Sequence, residues 1–203
     1  VRLGSLEPRT VTEDFCRRLS ALPNLCPHFH LSLQSGCAST LRRMGRRYTP
    51  DEFYKGVMLL REYFPNCGIT TDLIVGFPGE TEEEFAETLG FIEKCAFSSM
   101  HVFPYSKRPG TRAAEMEGQL PRRVKKERAA KATELARRMK DDFLNAQIGR
   151  TAEVLIESER DGLMAGFTGN YCEVGVRGEF ARNETVSVKI TGKSGELLIA
   201  EPL

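Results

Sequence analysis

The segment Ile69 to Phe85, reading ITTDLIVGFPGETEEEF, constrains the fold of this chain more than any other stretch. The apolar run Leu73 to Val75 reads as a buried strand that ends in Gly76. Phe77, Pro78 and Gly79 turn the chain sharply, and Thr81 with Glu84 has the spacing of a capping box that opens a helix. Strand, glycine-bounded loop and helix in that order belong to an α/β fold. In such folds this loop is where small molecules bind, because backbone can approach a ligand there.

Strand and helix signals alternate through the first two-thirds of the chain. Val1 to Ser5 is strand-like, and Thr12 can cap a helix running toward Leu22. Phe29 to Gln34 reads as a strand, with a helical start after Gly36. Thr49, Pro50 and Glu52 supply a cap, a first-turn proline and a capping-box acid for a helix reaching about Phe64. Strand Ile69 to Val75, helix Thr81 to Cys95 and strand Ser99 to Tyr105 follow. Repeated β-loop-α units predict a parallel sheet with helices packed outside it, open or closing toward a barrel. Pro121 to roughly Ala146 is a long helix dense in charge. Beyond Gly149 come five short alternating strands, Thr151 to Glu157, Leu163 to Thr168, Tyr171 to Arg177, Thr185 to Thr191 and Glu196 to Ala200. Gly162, Gly169-Asn170 and Gly192 to Gly195 provide turn chemistry between them, which suggests a small barrel of the oligonucleotide-binding type. The expected division is residues 1–146 and 147–203. Because the chain starts inside a strand-like stretch, it is expected to be a piece of a longer protein.

Hydrophobic residues make up 40% of the 203, enough for a sizeable core, and the mean hydropathy of −0.34 is ordinary for a globular chain. No apolar run approaches the roughly 20 residues of a membrane span. The formal charge of +1 neither demands nor excludes nucleic acid. It is unevenly split: residues 150–203 carry −3 and residues 1–149 carry +4. A small barrel that binds RNA would therefore rely on a local patch and on stacking by Phe167 or Tyr171, unless those rings simply pack in its core. The basic runs at Arg42, Arg43, Arg46 and Arg47 and on the long helix can meet phosphates, although such runs are usually solvated helix faces. The six cysteines, Cys16, Cys26, Cys37, Cys67, Cys95 and Cys172, have no CxxC spacing and read as reduced, mostly buried thiols of a cytoplasmic protein.

Side chains alternate faces along a strand, so parity can be read directly. In HFHLSLQ the set His28, His30, Ser32 and Gln34 is polar, whereas Phe29, Leu31 and Leu33 are apolar. Thr70 with Asp72, and His101 with Phe103 and Tyr105, continue the polar row on the next two strands. A row of this kind suggests an interior cavity in a barrel, and an antiparallel sheet with one wet face explains the alternation equally well. The His28-His30 pair also invites a zinc, with His101 and Asp72 as further ligands; hydrogen-bonded interior histidines are the alternative.

Taken in order, HLSLQSG (His30 to Gly36), TTDLIVGFPGETEEEF and FPYSKRPGT (Phe103 to Thr111) resemble the radical S-adenosylmethionine methylthiotransferases that modify transfer RNA. VRLGSLEP looks like the third barrel strand of that family, and the other segments look like the fourth to sixth. NYCEVGVRG and VSVKITGKSGELLIAE resemble its C-terminal RNA-binding domain, called TRAM. HFHLSLQSGC with MHVFPYSKRPGT is most similar to the subfamily acting on threonylcarbamoyladenosine at position 37 of transfer RNA. The resemblance implies a partial radical-enzyme barrel, strands three to six, followed by a five-stranded TRAM barrel.

The same resemblance implies S-adenosylmethionine and two four-iron–four-sulfur clusters, one making a 5′-deoxyadenosyl radical and the other helping to supply sulfur. It places Gln34, Ser35 and Gly36 by the methionine and ribose end of the cofactor. Asp72, Gly76, Phe77, Pro78 and Gly79 would border its ribose and adenine, and Phe103, Tyr105, Ser106 and Arg108 would close the site. The expected partners are the transfer RNA anticodon loop and the cofactor, with no membrane, in a monomeric protein. The family's CxxxCxxC cluster loop has no counterpart here, so the 203 residues alone are expected to be inactive. A metal-dependent barrel hydrolase using His28 and His30, or a non-catalytic RNA-binding remnant, are the competing readings.

Overall fold

The computed structural model describes residues 1–203, and most of its elements follow the punctuation of the sequence, although the first strand is only Ser5–Leu6 where the sequence predicts Val1 to Ser5. A short strand β1 (Ser5–Leu6) leads through a 3-10 turn at Pro8–Thr10 into helix α1 (Glu13–Ser20), whose N-cap Thr12 accepts from the Phe15 amide. Strand β2 (His28–Gln34) is followed by α2 (Ala38–Arg43) and α3 (Pro50–Tyr63). Strand β3 (Gly68–Val75), helix α4 (Glu82–Cys95) and strand β4 (Ser99–Pro104) complete the first sheet. Both α3 and α4 open with full capping boxes, Thr49 with Glu52 and Thr81 with Glu84, each satisfying two otherwise orphaned amides. A four-residue helix α5 (Arg112–Glu115), which the sequence did not announce, precedes the 24-residue α6 (Arg122–Asn145).

The four strands pair in parallel in the order β1-β2-β3-β4. Parallel pairing removes the antiparallel alternative. Because the order is sequential and crossovers are right-handed, the helices fall on one face of the sheet. That face takes Phe29, Leu31, Leu33, Ile69, Leu73 and Val75, all buried, and packs them with Phe53, Val57, Leu60, Phe85, Ile92 and Phe97. Phe53 sits with ring centroids 6.0 Å from both Phe91 and Phe97 in edge-on geometry, so one aromatic cluster ties α3 to α4 and its exit. The opposite face carries the polar row.

The rest of the chain forms a closed barrel in the order β5-β6-β7-β9-β8, from β5 (Thr151–Arg160), β6 (Leu163–Thr168), β7 (Glu173–Val176), β8 (Thr185–Ser194) and β9 (Leu197–Pro202). The outer strands β5 and β8 are longer than turn signals suggested, because each bends through a register shift and pairs on both sides. Alternate residues Val154, Ile156, Val174, Val176, Val188, Ile190, Leu198 and Ala200 fill the interior, joined by Leu144 from the end of α6. Closure leaves no open edge in this barrel. No helix is long and apolar enough to cross a membrane.

Candidate functional site

Parallel sheets bind ligands beyond the carboxyl ends of their strands, and here that end carries a cavity of about 450 Å³. Gln34 from the end of β2, Asp72 and Ile74 from β3, Phe77 from the following turn, and Phe103, Tyr105, Ser106 and Arg108 from β4 and its exit line it. Seven of the twelve residues that the resemblance singled out therefore meet in one place. Gln34 holds φ at 64°, a left-handed conformation unusual for a side-chain-bearing residue, where the β2–β3 register slips. The Phe77 and Tyr105 rings meet edge-on at 5.3 Å, and the buried Tyr105 hydroxyl has no partner within the protein. An orphaned donor at the wall of a cavity is a vacancy in the hydrogen-bond inventory that a polar ligand would fill.

The other five of the twelve do not line the cavity. The buried Ser35 hydroxyl bonds to Thr88 and accepts from the Cys37 amide. Gly36 is pressed against Phe91, where a Cβ would sit 2.9 Å from that ring. Gly76, Pro78 and Gly79 build the turn beneath the cavity. The Gly76 amide donates to Glu80 Oε1 at 2.9 Å and the Gly79 amide to the Gly118 carbonyl at 2.8 Å. At Gly76, φ is 69° and a Cβ would fall 2.4 Å from Lys125 Cγ, so only glycine fits.

Sequence reading missed what holds this turn. Glu80 and Arg128 are each 5% exposed. Arg128 Nη1 donates to the Glu80 carboxylate at 2.6 Å and to its carbonyl at 3.0 Å, and Nη2 reaches Glu82 at 3.1 Å. Burial pushes the Glu80 carboxyl upward, opposed by the Gly76 amide and Arg128. Lys125 donates to the Tyr105 carbonyl at 3.0 Å. Two cations from a helix that read as a solvated charged face thus brace the floor of the cavity. The only signal was position: Glu80 falls just after the glycine turn, and Arg128 lies one helical turn beyond Lys125.

A second cavity, of about 330 Å³, opens at the other end of the strands, against the small barrel. All three histidines line it. His28 Nε2 lies 3.1 Å from Thr70 Oγ1, His30 Nδ1 lies 3.1 Å from the same oxygen, and His30 Nε2 lies 3.2 Å from Asp72 Oδ2. Three of the four ring nitrogens of the HxH pair are therefore spent on Thr70 and Asp72, and no group of three or more candidate ligands is arranged around a metal position. His28 is buried, and desolvation, followed by the charges of Arg2 and His30, lowers its pKa to about 4.

The small barrel meets the sheet through the turn after β6. Tyr171, with φ at 72°, stacks on Phe167 at 4.9 Å, meets the His28 ring at 4.7 Å with the planes tilted by 36°, and lies beneath the Arg2 guanidinium at 4.4 Å. The ring considered for stacking on RNA is thus engaged with the sheet domain. Asn66 and Gln147 exchange two amide hydrogen bonds at 2.8 and 3.0 Å, and Asn170 Nδ2 donates to the Asn66 carbonyl and to Gln147 Oε1. Gly68 allows the contact, since a Cβ there would lie 2.2 Å from the Asn170 carbonyl oxygen.

Five of the six cysteines are buried, and they are scattered over both units. Burial pushes the thiols of Cys67 and Cys172 up to about 11 and that of Cys95 to about 12, the reverse of what a thiolate ligand needs. These cysteines do not fit an iron–sulfur cluster.

Residues 4–92 match the family described as the Radical SAM superfamily. The chain is 40% identical over 203 residues to a threonylcarbamoyladenosine tRNA methylthiotransferase, MtaB, of Thermotoga maritima, covering 98% of this chain and 46% of that protein. It is 39% identical over 212 residues to a tRNA-2-methylthio-N(6)-dimethylallyladenosine synthase of Mycolicibacterium gilvum, covering 99% and 41%. The chain thus spans less than half the length of these curated relatives. Among solved structures, coproporphyrinogen III oxidase (HemN) from Escherichia coli, a radical SAM enzyme, superposes with a TM-score of 0.56 at 20% identity, covering 66% of this chain and 31% of that one. That likeness concerns the fold of the sheet.

Proposed function

The chain belongs to the radical S-adenosylmethionine methylthiotransferase family, and from that membership we propose that it acts in placing a 2-methylthio group on N6-threonylcarbamoyladenosine at position 37 of transfer RNA. The observation that carries the methylthiotransferase reading is the 40% identity to MtaB over 98% of the chain, running through both the sheet and the small barrel. The choice of nucleoside rests on the motifs HFHLSLQSGC and MHVFPYSKRPGT. The division near Gln147 into a sheet domain and a TRAM domain is part of the same reading.

The upper cavity fits S-adenosylmethionine. Asp72 and Gln34 offer acceptors and donors for a ribose and an amino-acid group, and Phe77, Ile74 and Phe103 offer an apolar wall for a purine. The unpartnered Tyr105 hydroxyl supplies a further donor, and Arg108 a cation for the cofactor carboxylate. When bound, the cofactor supplies methyl transfer and radical initiation. What this chain contributes is the seat: a glycine turn fixed by Glu80, and strand ends that bring the lining side chains together.

No cysteine arrangement here fits a cluster, so no step is assigned to one on these residues. In this reading the 203 residues alone bind cofactor and RNA without sulfur insertion. S-adenosylhomocysteine titrated into the protein by calorimetry tests the seat, and Asp72→Ala should weaken binding at least tenfold. Nucleoside mass spectrometry of transfer RNA from a deletion strain tests the substrate. Loss of the methylthio derivative of threonylcarbamoyladenosine supports the assignment, whereas loss of the dimethylallyladenosine derivative alone moves it to the sister branch.

A further inference from the structure

The polar row does more than line a cavity. Asp72 belongs to the upper cavity, while His28, His30 and Thr70 belong to the lower one, and the three hydrogen bonds among them join the two ends. Their directions are fixed by chemistry. An ionised Asp72 only accepts, so a neutral His30 must carry its proton on Nε2 and leave Nδ1 as an acceptor. Thr70 must then donate its hydroxyl proton to His30 Nδ1, and its oxygen must accept from His28 Nε2. His28 is left with an unprotonated Nδ1, which is the one buried atom of that ring without a partner. Every bond in the chain points toward Asp72.

We propose that His28, Thr70, His30 and Asp72 form a one-way proton relay running along the sheet from the small-barrel junction to the upper cavity. A proton from water that bonds to His28 Nδ1 releases the proton on Nε2 to Thr70 Oγ1. Thr70 passes its own hydroxyl proton to His30 Nδ1, and His30 gives its Nε2 proton to Asp72 Oδ2. One proton enters, one arrives, and no electron pair leaves the chain. A pass leaves both imidazoles protonated on Nδ1, so reset takes loss of the proton at Asp72, rotation of the hydroxyl and return of each ring to its Nε2–H tautomer by proton exchange with solvent. The entry is stoppered. Tyr171 lies over the His28 ring, Nδ1 is sealed from solvent, and Arg2 on the far side of the junction opposes a charge there. His101 on β4, Lys140 on α6, and Glu173 and Glu196 of the small barrel face the same cavity. The relay thus ends beneath a residue of the small barrel, and a shift of the Thr168–Tyr171 turn would wet its entry.

The test uses the whole chain labelled with 15N-histidine and needs neither cofactor nor RNA, so its outcome is independent of the functional reading. At neutral pH both His28 and His30 should be Nε2–H tautomers. With Nδ1 sealed, the His28 Nε2 proton exchanges with solvent through Thr70, so Thr70→Val should slow that exchange about tenfold, the equivalent of one hydrogen bond. Thr70→Ser, which restores the hydroxyl, should exchange like the wild type. A proton on His30 Nδ1 in the wild-type protein, or unchanged exchange in Thr70→Val, overturns the relay. Should Thr70→Val fail to fold, the wild-type tautomers and Thr70→Ser still decide.

Discussion

Arg128 and Glu80 form an ion pair at 2.6 Å with both side chains almost wholly enclosed, and the same carboxylate receives the Gly76 amide. The pair therefore ties α6 to the glycine turn that floors the upper cavity. A buried pair is costly to assemble and more costly to halve, because the remaining charge has neither water nor partner.

Removing one partner should show this directly. Arg128→Ala is expected to destabilise the protein by about 3–5 kcal/mol, while the double change Arg128→Met with Glu80→Gln costs less than Arg128→Ala alone. Urea unfolding of the wild type, Arg128→Ala, Arg128→Met, Glu80→Gln and the double change measures it. If the two single changes and the double simply add, the pair is not a unit.

Acid should weaken the fold in two stages with the same sign. His28 takes a proton at about 4 when folded and near its ordinary 6.5 when unfolded. Between those values the unfolded chain binds more protons, so stability falls as pH drops through that window and the loss is complete below it. Solvent in the adjoining cavity screens part of the effect, leaving a loss of about 1–2 kcal/mol between pH 7 and pH 5. The second stage belongs to Glu84, held down to about 2 first by its hydrogen bond with Arg43 and then by Ser39 and the Thr81 amide. Its contribution is intact above its ordinary value of 4.5 and disappears as pH falls toward 2. Unfolding midpoints measured from pH 7 downward should drop first by the histidine step, and His28→Gln should remove that step while sparing the lower one.

Most of the fold was legible because its signals are local. Thr49-Pro50-Glu52 and Thr81-Glu84 announce their helices, and the HFHLSLQ parity separates the packed face from the polar one. The end of β2, the β3 strand with its glycine turn and the β4 exit were found as motifs, and seven of the twelve residues singled out in them line one cavity. What escaped is long-range. Nothing in the local sequence of α6 distinguishes buried Arg128 from its exposed neighbours, since its partner lies 48 positions away. The docking of the small barrel was equally silent, because Asn66, Gln147 and Asn170 come from three separate turns that only tertiary structure brings together. Ser35 and Gly36 sit in a family motif yet pack against α4, a reminder that a motif can mark a scaffold as well as a contact.

Helix α4 ends at Ala96 with φ at 48°, in the left-handed region that glycine adopts freely and alanine does not. Ala96→Gly is expected to raise stability by about 1 kcal/mol, less whatever entropy the unfolded chain regains. Thermal unfolding decides the sign, and a lower midpoint would mean that the alanine methyl contributes packing worth more than the strain it imposes.

The amide knot at the junction gives the last prediction. Asn170 donates to both Asn66 and Gln147 from a buried position, and its own Oδ1 accepts from the Thr168 hydroxyl at 2.6 Å. Asn170→Ala strips a donor from the Asn66 carbonyl and from Gln147 Oε1 and leaves the Thr168 hydroxyl only its longer bond to the Cys172 carbonyl at 3.4 Å, a loss of about 1–3 kcal/mol in all. Because the knot joins two units that each have their own hydrophobic core, the loss should fall on their coupling rather than on either core. Urea unfolding should then separate into two transitions, with amide hydrogen exchange rising first around Asn66 and Tyr171 while Phe53 and Val174 stay protected. A single transition shifted as a whole would instead mean that the two units fold only together, and that the knot is part of one cooperative core.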